Sequence, residues 1–179
     1  HGGCEHLLCY FDQETMEKMT IGDKIDVRSQ GQGMKLLDYP DILLRNMSPE
    51  LLEKMNIEEK DGKLKVGVAK IVPACIMGSG LGASTSYYGD YDITLHDKKI
   101  TEEYGLDKLR FGDIVAITDA DTRFGRNFMT GAMTIGVVVH SDCILAGHGP
   151  GVTTLMTCKT PLIEAFIDEN ANLADYFVR

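Results

Sequence analysis

Short apolar runs alternate along the chain with clusters of Gly, Asp, Pro and Ser, and stretches with a helical repeat are few and short. That punctuation predicts many short strands and small helices. "KLKVGVAKIV" (63–72) alternates as a half-buried strand does, and "DGK" (61–63) reads as the hairpin turn before it. "AMTIGVVVH" (132–140) is an unbroken apolar run, as a strand buried on both faces would be, and "GVTTLMT" (151–157) predicts another. Further strands are expected over 7–11, 24–28 and 91–96 and within "LRFGDIVAITDAD" (109–121).

Four helices follow from their start signals. Asp12 is the expected N-cap of a helix over 13–19. Ser48, Pro49 and Glu50 open the clearest one, with its end marked by Asn56. A third is expected over 101–104 and a fourth over 173–177. The pattern therefore predicts an α+β, β-rich fold, a barrel- or sandwich-like sheet core with short peripheral helices, formed as a single domain over 1–179. Two segments read alike: "ETMEKMTIGDKIDV" and "EEYGLDKLRFGDIVAI" each run helix, Gly-Asp, alternating strand. Glycine supplies a corner of positive φ and aspartate bonds back to the turn, so the likeness reads as a shared corner rather than a duplication.

The overall charge changes what this fold can be for. A net charge of −9 excludes the basic stripe that a nucleic-acid or anionic-membrane partner requires. The five cysteines are odd in number and widely spaced, so neither a disulfide framework nor a zinc ribbon is indicated, and a cytoplasmic location is expected. No apolar run reaches the roughly 20 residues that span a bilayer. The first residue is His1, which is expected either of an added tag or of one product of a longer precursor.

The densest polar constellation lies between Thr118 and His148. "TDADTRFGR" places Asp119 and Asp121 on one face of a strand, followed by Arg123 and Arg126. The chain then returns to His140, Asp142 and Cys143. Carboxylates with an imidazole suit a divalent metal or acid–base work, so Asp119, Asp121 and His140 are the expected metal ligands and catalytic cluster. His148 stands among glycines in "GHGPG", which clear space around it, and is expected to contact the reacting molecule. The loop "MGSGLG", with Gly78, Ser79, Gly80 and Gly82, is expected to bring backbone close to a substrate, and Arg123 or Arg126 to grip a carboxylate. Asp90 and Asp92 also share a face at the start of a strand; they join this site or merely cap a turn.

The ordered blocks "EHLLCYF", "GQGMKLLDYPD", "MGSGLG", "GDYDI", "LRFGDIVAITDAD" and "GVVVHSDCILAGHGPGVTTLMT" make the chain resemble the bacterial and archaeal proteins grouped as domain of unknown function 4438. The resemblance covers essentially the whole chain and implies no assigned activity. It implies that the chain matches the C-terminal two-thirds of a member, with a domain-sized segment of roughly a hundred residues ahead of it. That upstream piece of the same precursor is then an expected partner that completes the barrel and the site. A fainter similarity reaches the acetamidase and formamidase class of amide hydrolases, but that class's Gly-Asp-x-His-Ala signature is absent and no catalytic residue carries over.

Together these features point to an enzyme acting on a small polar metabolite, with C–N hydrolysis aided by a divalent metal as the expected reaction, and to a homo-oligomer. The competing expectation is a non-catalytic metabolite-binding or scaffold protein whose polar turns are structural.

Overall fold

In a computed structural model, the described residues are 11–26, 28–78, 86–87, 89–94, 97–142 and 149–177. Two sheets carry the fold. The larger has the order β1 (Leu43–Leu44), β8 (Gly151–Cys158), β7 (Asn127–His140), β6 (Ile114–Asp121) and β4 (Lys70–Pro73), and β5 (Tyr91–Asp92) also pairs with β8. The smaller has the order β2 (Ile57–Lys60), β3 (Lys63–Val68), β9 (Ile163–Ile167). Strands β6, β7 and β8 form an antiparallel meander, whereas β4 runs parallel to β6 and β3 parallel to β9. The larger sheet is open in its strand order, so of the two shapes expected from sequence the described strands make packed sheets, not a closed barrel.

The unbroken apolar strands are explained by burial on both faces. Ile114 and Ala116 of β6, with Ile135 and Val137 of β7, pack against Leu64, Val66, Val68 and Ile163 of the smaller sheet. The alternate residues Val115, Ile117 and Val138 face a second cluster with Val72, Ile76, Leu106 and Tyr91. Over Ile114–Ile117 and Ile135–Val138 neither face of the meander meets water, so the polar-out alternation of a half-buried strand is missing there.

The helices keep to the periphery. α1 (Gln13–Lys18) is capped by Asp12, whose side chain accepts from the Thr15 N–H, and buries no residue. α2 (Pro49–Lys54) starts at Ser48, which accepts from the Leu51 N–H, and drives Leu51 into the core. α3 begins earlier than expected, at Lys98–Glu103, because Asp97 accepts from the N–H groups of Lys99 and Ile100. α4 (Leu173–Phe177) lies where the sequence puts it. No described helix is long and apolar enough to cross a membrane.

Three expectations change. The run 63–72 is not one strand: it breaks at Ala69, and its halves join different sheets. Residues 24–26 and 28 are not strand and are exposed, and none of them pairs with a described strand. The expected strand 91–96 is reduced among described residues to Tyr91–Asp92 with a bridge from Ile93 to Met77. The strand expected over 7–11 falls mostly outside the described residues.

The two Gly-Asp corners have one geometry. The Asp23 carboxylate accepts from the Thr20 N–H at 2.8 Å, as Asp113 does from the Arg110 N–H at 2.7 Å, and Gly22 and Gly112 both have positive φ. Only the second feeds a core strand. There the corner is locked further by Asn172, which donates to Asp113 at 2.8 Å and to the Phe111 carbonyl at 2.9 Å.

Candidate metal and acid–base site

Three strands place the polar cluster. His140 ends β7 and stands opposite Gly151 of β8, and on the other side of β8 Gly151 stands opposite Asp92 of β5. Directly paired residues project to the same face, and neighbouring strands lie about 4.8 Å apart. His140 and Asp92 therefore flank Gly151 about 10 Å apart at the backbone, and their side chains meet above it. A Cβ on Gly151 would overlap both His140 Nε2 and Asp90 Oδ2, so glycine at 151 is a steric requirement of the cluster.

His140 Nε2 lies 2.6 Å from Asp90 Oδ2 and 3.3 Å from Asp92 Oδ1. Its other ring nitrogen, Nδ1, donates to the Ser141 carbonyl at 2.6 Å. That bond commits the Nδ1 proton, so a neutral ring turns the Nε2 lone pair toward the two carboxylates. Such an arrangement holds together in two ways: as an imidazolium shared by carboxylates, or around a cation. Ligand atoms from Asp90, Asp92 and His140 all lie within 4.8 Å of one another. The Asp92 side chain is 7 % exposed and those of Asp90 and His140 are 33 % and 27 % exposed, so the cluster is shielded yet reachable.

Asp119 and Asp121, expected beside His140, are placed elsewhere. They occupy the far end of the β6–β7 ladder, where Asp121 pairs with Asn127, whereas Val137, near His140, pairs with Ile114. Asp119 is a bulge residue: its φ is 56°, the register shifts between Thr118 and Ala120, and its Oδ1 accepts from the Gly131 N–H at 2.8 Å. Asp121 is held by Arg123, with Nη2 at 2.7 Å from Oδ2 and Nε at 2.9 Å from Oδ1. Burial works to raise the Asp121 pKa, but the hydrogen bonds and charge of Arg123 outweigh it and hold it below the usual carboxylate range. Arg123 is thereby engaged by a partner of its own chain rather than presented to a substrate.

Arg126 donates to the carbonyls of Met77, at 2.7 Å, and Gly78. Gly78 in turn donates its N–H to the Asp92 carbonyl at 2.6 Å, so it braces the strand that carries the carboxylates. His148, Ser79, Gly80 and Gly82 lie outside the described residues. The signal for Asp90 and Asp92 was their i, i+2 spacing. Asp119 and Asp121 share that spacing, but the bulge at Asp119 breaks the alternation it relies on.

The family description "Domain of unknown function (DUF4438), C-terminal" matches residues 54–177, and "Domain of unknown function (DUF4438), N-terminal" matches residues 1–53. The two meet inside α2, and β1 from the first pairs with β8 of the second. No curated protein matches the chain. The crystal structure of TM1086 is similar over 99% of this chain, at 47% identity and a TM-score of 0.90. The chain spans 62% of that protein's length, close to the two-thirds share implied by the sequence resemblance. The chain belongs to the DUF4438 family.

Proposed function

We propose that Asp90, Asp92 and His140 hold a divalent metal ion, and that the protein uses it to hydrolyse a small polar metabolite, with C–N bonds of the amide type as the first substrate class. The observation that carries this reading is the commitment of His140 Nδ1 to the Ser141 carbonyl while Nε2 faces two carboxylate oxygens. A metal-binding histidine is set up in this way, its second nitrogen anchored on a carbonyl so that ring orientation and tautomer are fixed. Two carboxylates and one imidazole suit zinc, manganese or iron.

The spacing also fits. Two ligands bound to one zinc at about 2.0–2.1 Å in tetrahedral geometry stand roughly 3.3 Å apart. Asp92 and His140 are at 3.3 Å, and Asp90 has to retreat by less than about 1 Å. Three protein ligands leave a coordination position, through which such a metal acidifies water and polarises a carbonyl. The chain's residues supply the rest: Gly151 keeps the space above β8 clear, and the Gly78–Asp92 bond fixes the carboxylate strand.

One observation favours a second reading. The 2.6 Å contact of Asp90 with His140 is a hydrogen-bond length, as in a scaffold whose imidazolium merely ties β5 to β7. Elemental analysis and calorimetric titration with zinc and manganese separate the two. Stoichiometric metal, weakened at least tenfold in both Asp92→Asn and His140→Gln, is the expected result. Ammonia release from a panel of small amides by the metal-loaded protein then tests the reaction. A wild-type protein that takes up no metal, or variants that bind it as tightly, would overturn the proposal.

A further inference from the structure

Strand β5 has two faces, and the second one leads away from the metal ligands. Between Asp90 and Asp92, Tyr91 projects to the opposite side, into the second core cluster. It lines a cavity of about 170 Å³ that no part of the proposed metal chemistry uses. Met77, Ile117 and Ala120 make buried walls, while Phe128, 64 % exposed, and Arg126 stand at the rim. A cavity of this size matches one that takes up a benzene-sized molecule, since an apolar cavity of about 150 Å³ does so.

Two polar groups of this lining, the Tyr91 hydroxyl and the Arg126 guanidinium, set its chemistry. Tyr91 is 1 % exposed, and its hydroxyl has no hydrogen-bond partner among the described residues. Leaving a buried hydroxyl unmatched is costly, and native proteins rarely tolerate it without a ligand or water to complete it. Among the described residues Arg126 donates to two backbone carbonyls, which do not neutralise its charge, and its fork carries further N–H donors. Burial pushes the Tyr91 phenol upward and keeps it a neutral donor; the charge of Arg126 acts against that shift and that of Asp121 with it.

We propose that this cavity is a binding site for a small monocarboxylate with a compact apolar body, the body packing on Met77, Ile117 and Phe128 and the carboxylate accepting from Arg126 and the Tyr91 hydroxyl. The site is separate from the Asp90–Asp92–His140 cluster, and occupancy would be felt there only through β5. It does not depend on a metal being present.

The test is a titration of the protein with benzoate, with benzyl alcohol as a neutral probe of the same size, followed by calorimetry and by ligand-observed NMR. Saturable one-to-one binding of benzoate, at least tenfold tighter than benzyl alcohol and unchanged by a chelator, is expected. Tyr91→Phe should weaken benzoate at least tenfold while leaving thermal stability equal or higher, because it removes a hydroxyl that has no partner. Arg126→Met serves as the second variant and should abolish the preference for the anion. Equal binding of benzyl alcohol would overturn the assignment of a carboxylate. Absence of saturable binding by either probe, or full-strength benzoate binding by Tyr91→Phe, would overturn the site itself. Loss of benzoate binding on chelation would move the anion to the metal cluster and equally refute this placement.

Discussion

His140 lies directly across the β7–β8 ladder from Gly151, and the missing side chain at 151 is what allows the imidazole to cross β8 and meet Asp90. The contact is thus made over a strand, not between neighbouring residues of one loop. A methyl group at 151 would occupy the space of His140 Nε2 and Asp90 Oδ2.

Gly151→Ala should therefore damage the site more than the fold. The atoms in its way are the ends of two partly exposed side chains, which can swing toward solvent, so the stability change should stay under about 1 kcal/mol. Metal uptake should fall at least tenfold. Gly136→Ala, on the same pair of strands, should behave in the opposite way. Its Cβ would meet the Thr153 carbonyl at 2.8 Å and the Val152 side chain, groups fixed in the buried sheet, and overpacking of that kind costs about 1–3 kcal/mol. Urea denaturation and metal titration of the two variants read both effects, and a Gly151→Ala protein that still binds metal fully would show that the cluster is not the site.

Much of the fold could be read from local chemistry. Ser48-Pro49 fixed α2, Asp12 fixed α1, and the unbroken apolar run before His140 announced a strand covered on both faces. What could not be read was pairing. Ala69 looks like any interior strand residue, yet the chain changes sheets there, a choice made by partners far away in sequence. The site shows the same division. His140 and the shared face of Asp90 and Asp92 were legible from spacing, but their meeting depends on β5 and β7 flanking β8 at Gly151. Asp119 and Asp121 carried an equal signal, and only the register shift between Thr118 and Ala120 reveals that it is false as a metal pair with His140.

The Asp121–Arg123 pair should make stability sensitive to acid. The folded-state pKa of Asp121 lies below its ordinary value of 3.8, with the bonds from Arg123 overcoming the opposing effect of burial. A carboxylate lowered on folding contributes stability that is complete above its unfolded pKa and disappears as pH falls through the folded one. Asp121→Asn should cost about 2–3 kcal/mol at pH 7, below the roughly 3–5 kcal/mol of a fully buried broken pair, because Arg123 keeps 20 % of its side chain exposed. The gap between wild type and variant should close as pH is lowered from about 4 toward 2. Chemical denaturation across that range measures it. A gap that stays constant with pH would mean that the loss comes from packing and not from the charge.

Asp119 offers the sharpest contrast between a structural and a metal-binding carboxylate. Its backbone sits at φ 56°, a conformation that Asp and Asn adopt more readily than other side chains, and its Oδ1 holds the Gly131 N–H across the bulge. Asn supplies the same acceptor and tolerates the same φ, so Asp119→Asn should stay within about 0.5 kcal/mol of wild type. Asp119→Val removes the acceptor and forces a branched side chain into the left-handed region, which should cost about 2 kcal/mol or more. Both variants should bind metal as the wild type does, because Asp90, Asp92 and His140 form without them. Denaturation midpoints and metal stoichiometry measured on the same preparations decide the point: loss of metal in Asp119→Asn at unchanged stability would reinstate Asp119 as a ligand and remove the cluster above Gly151 from that role.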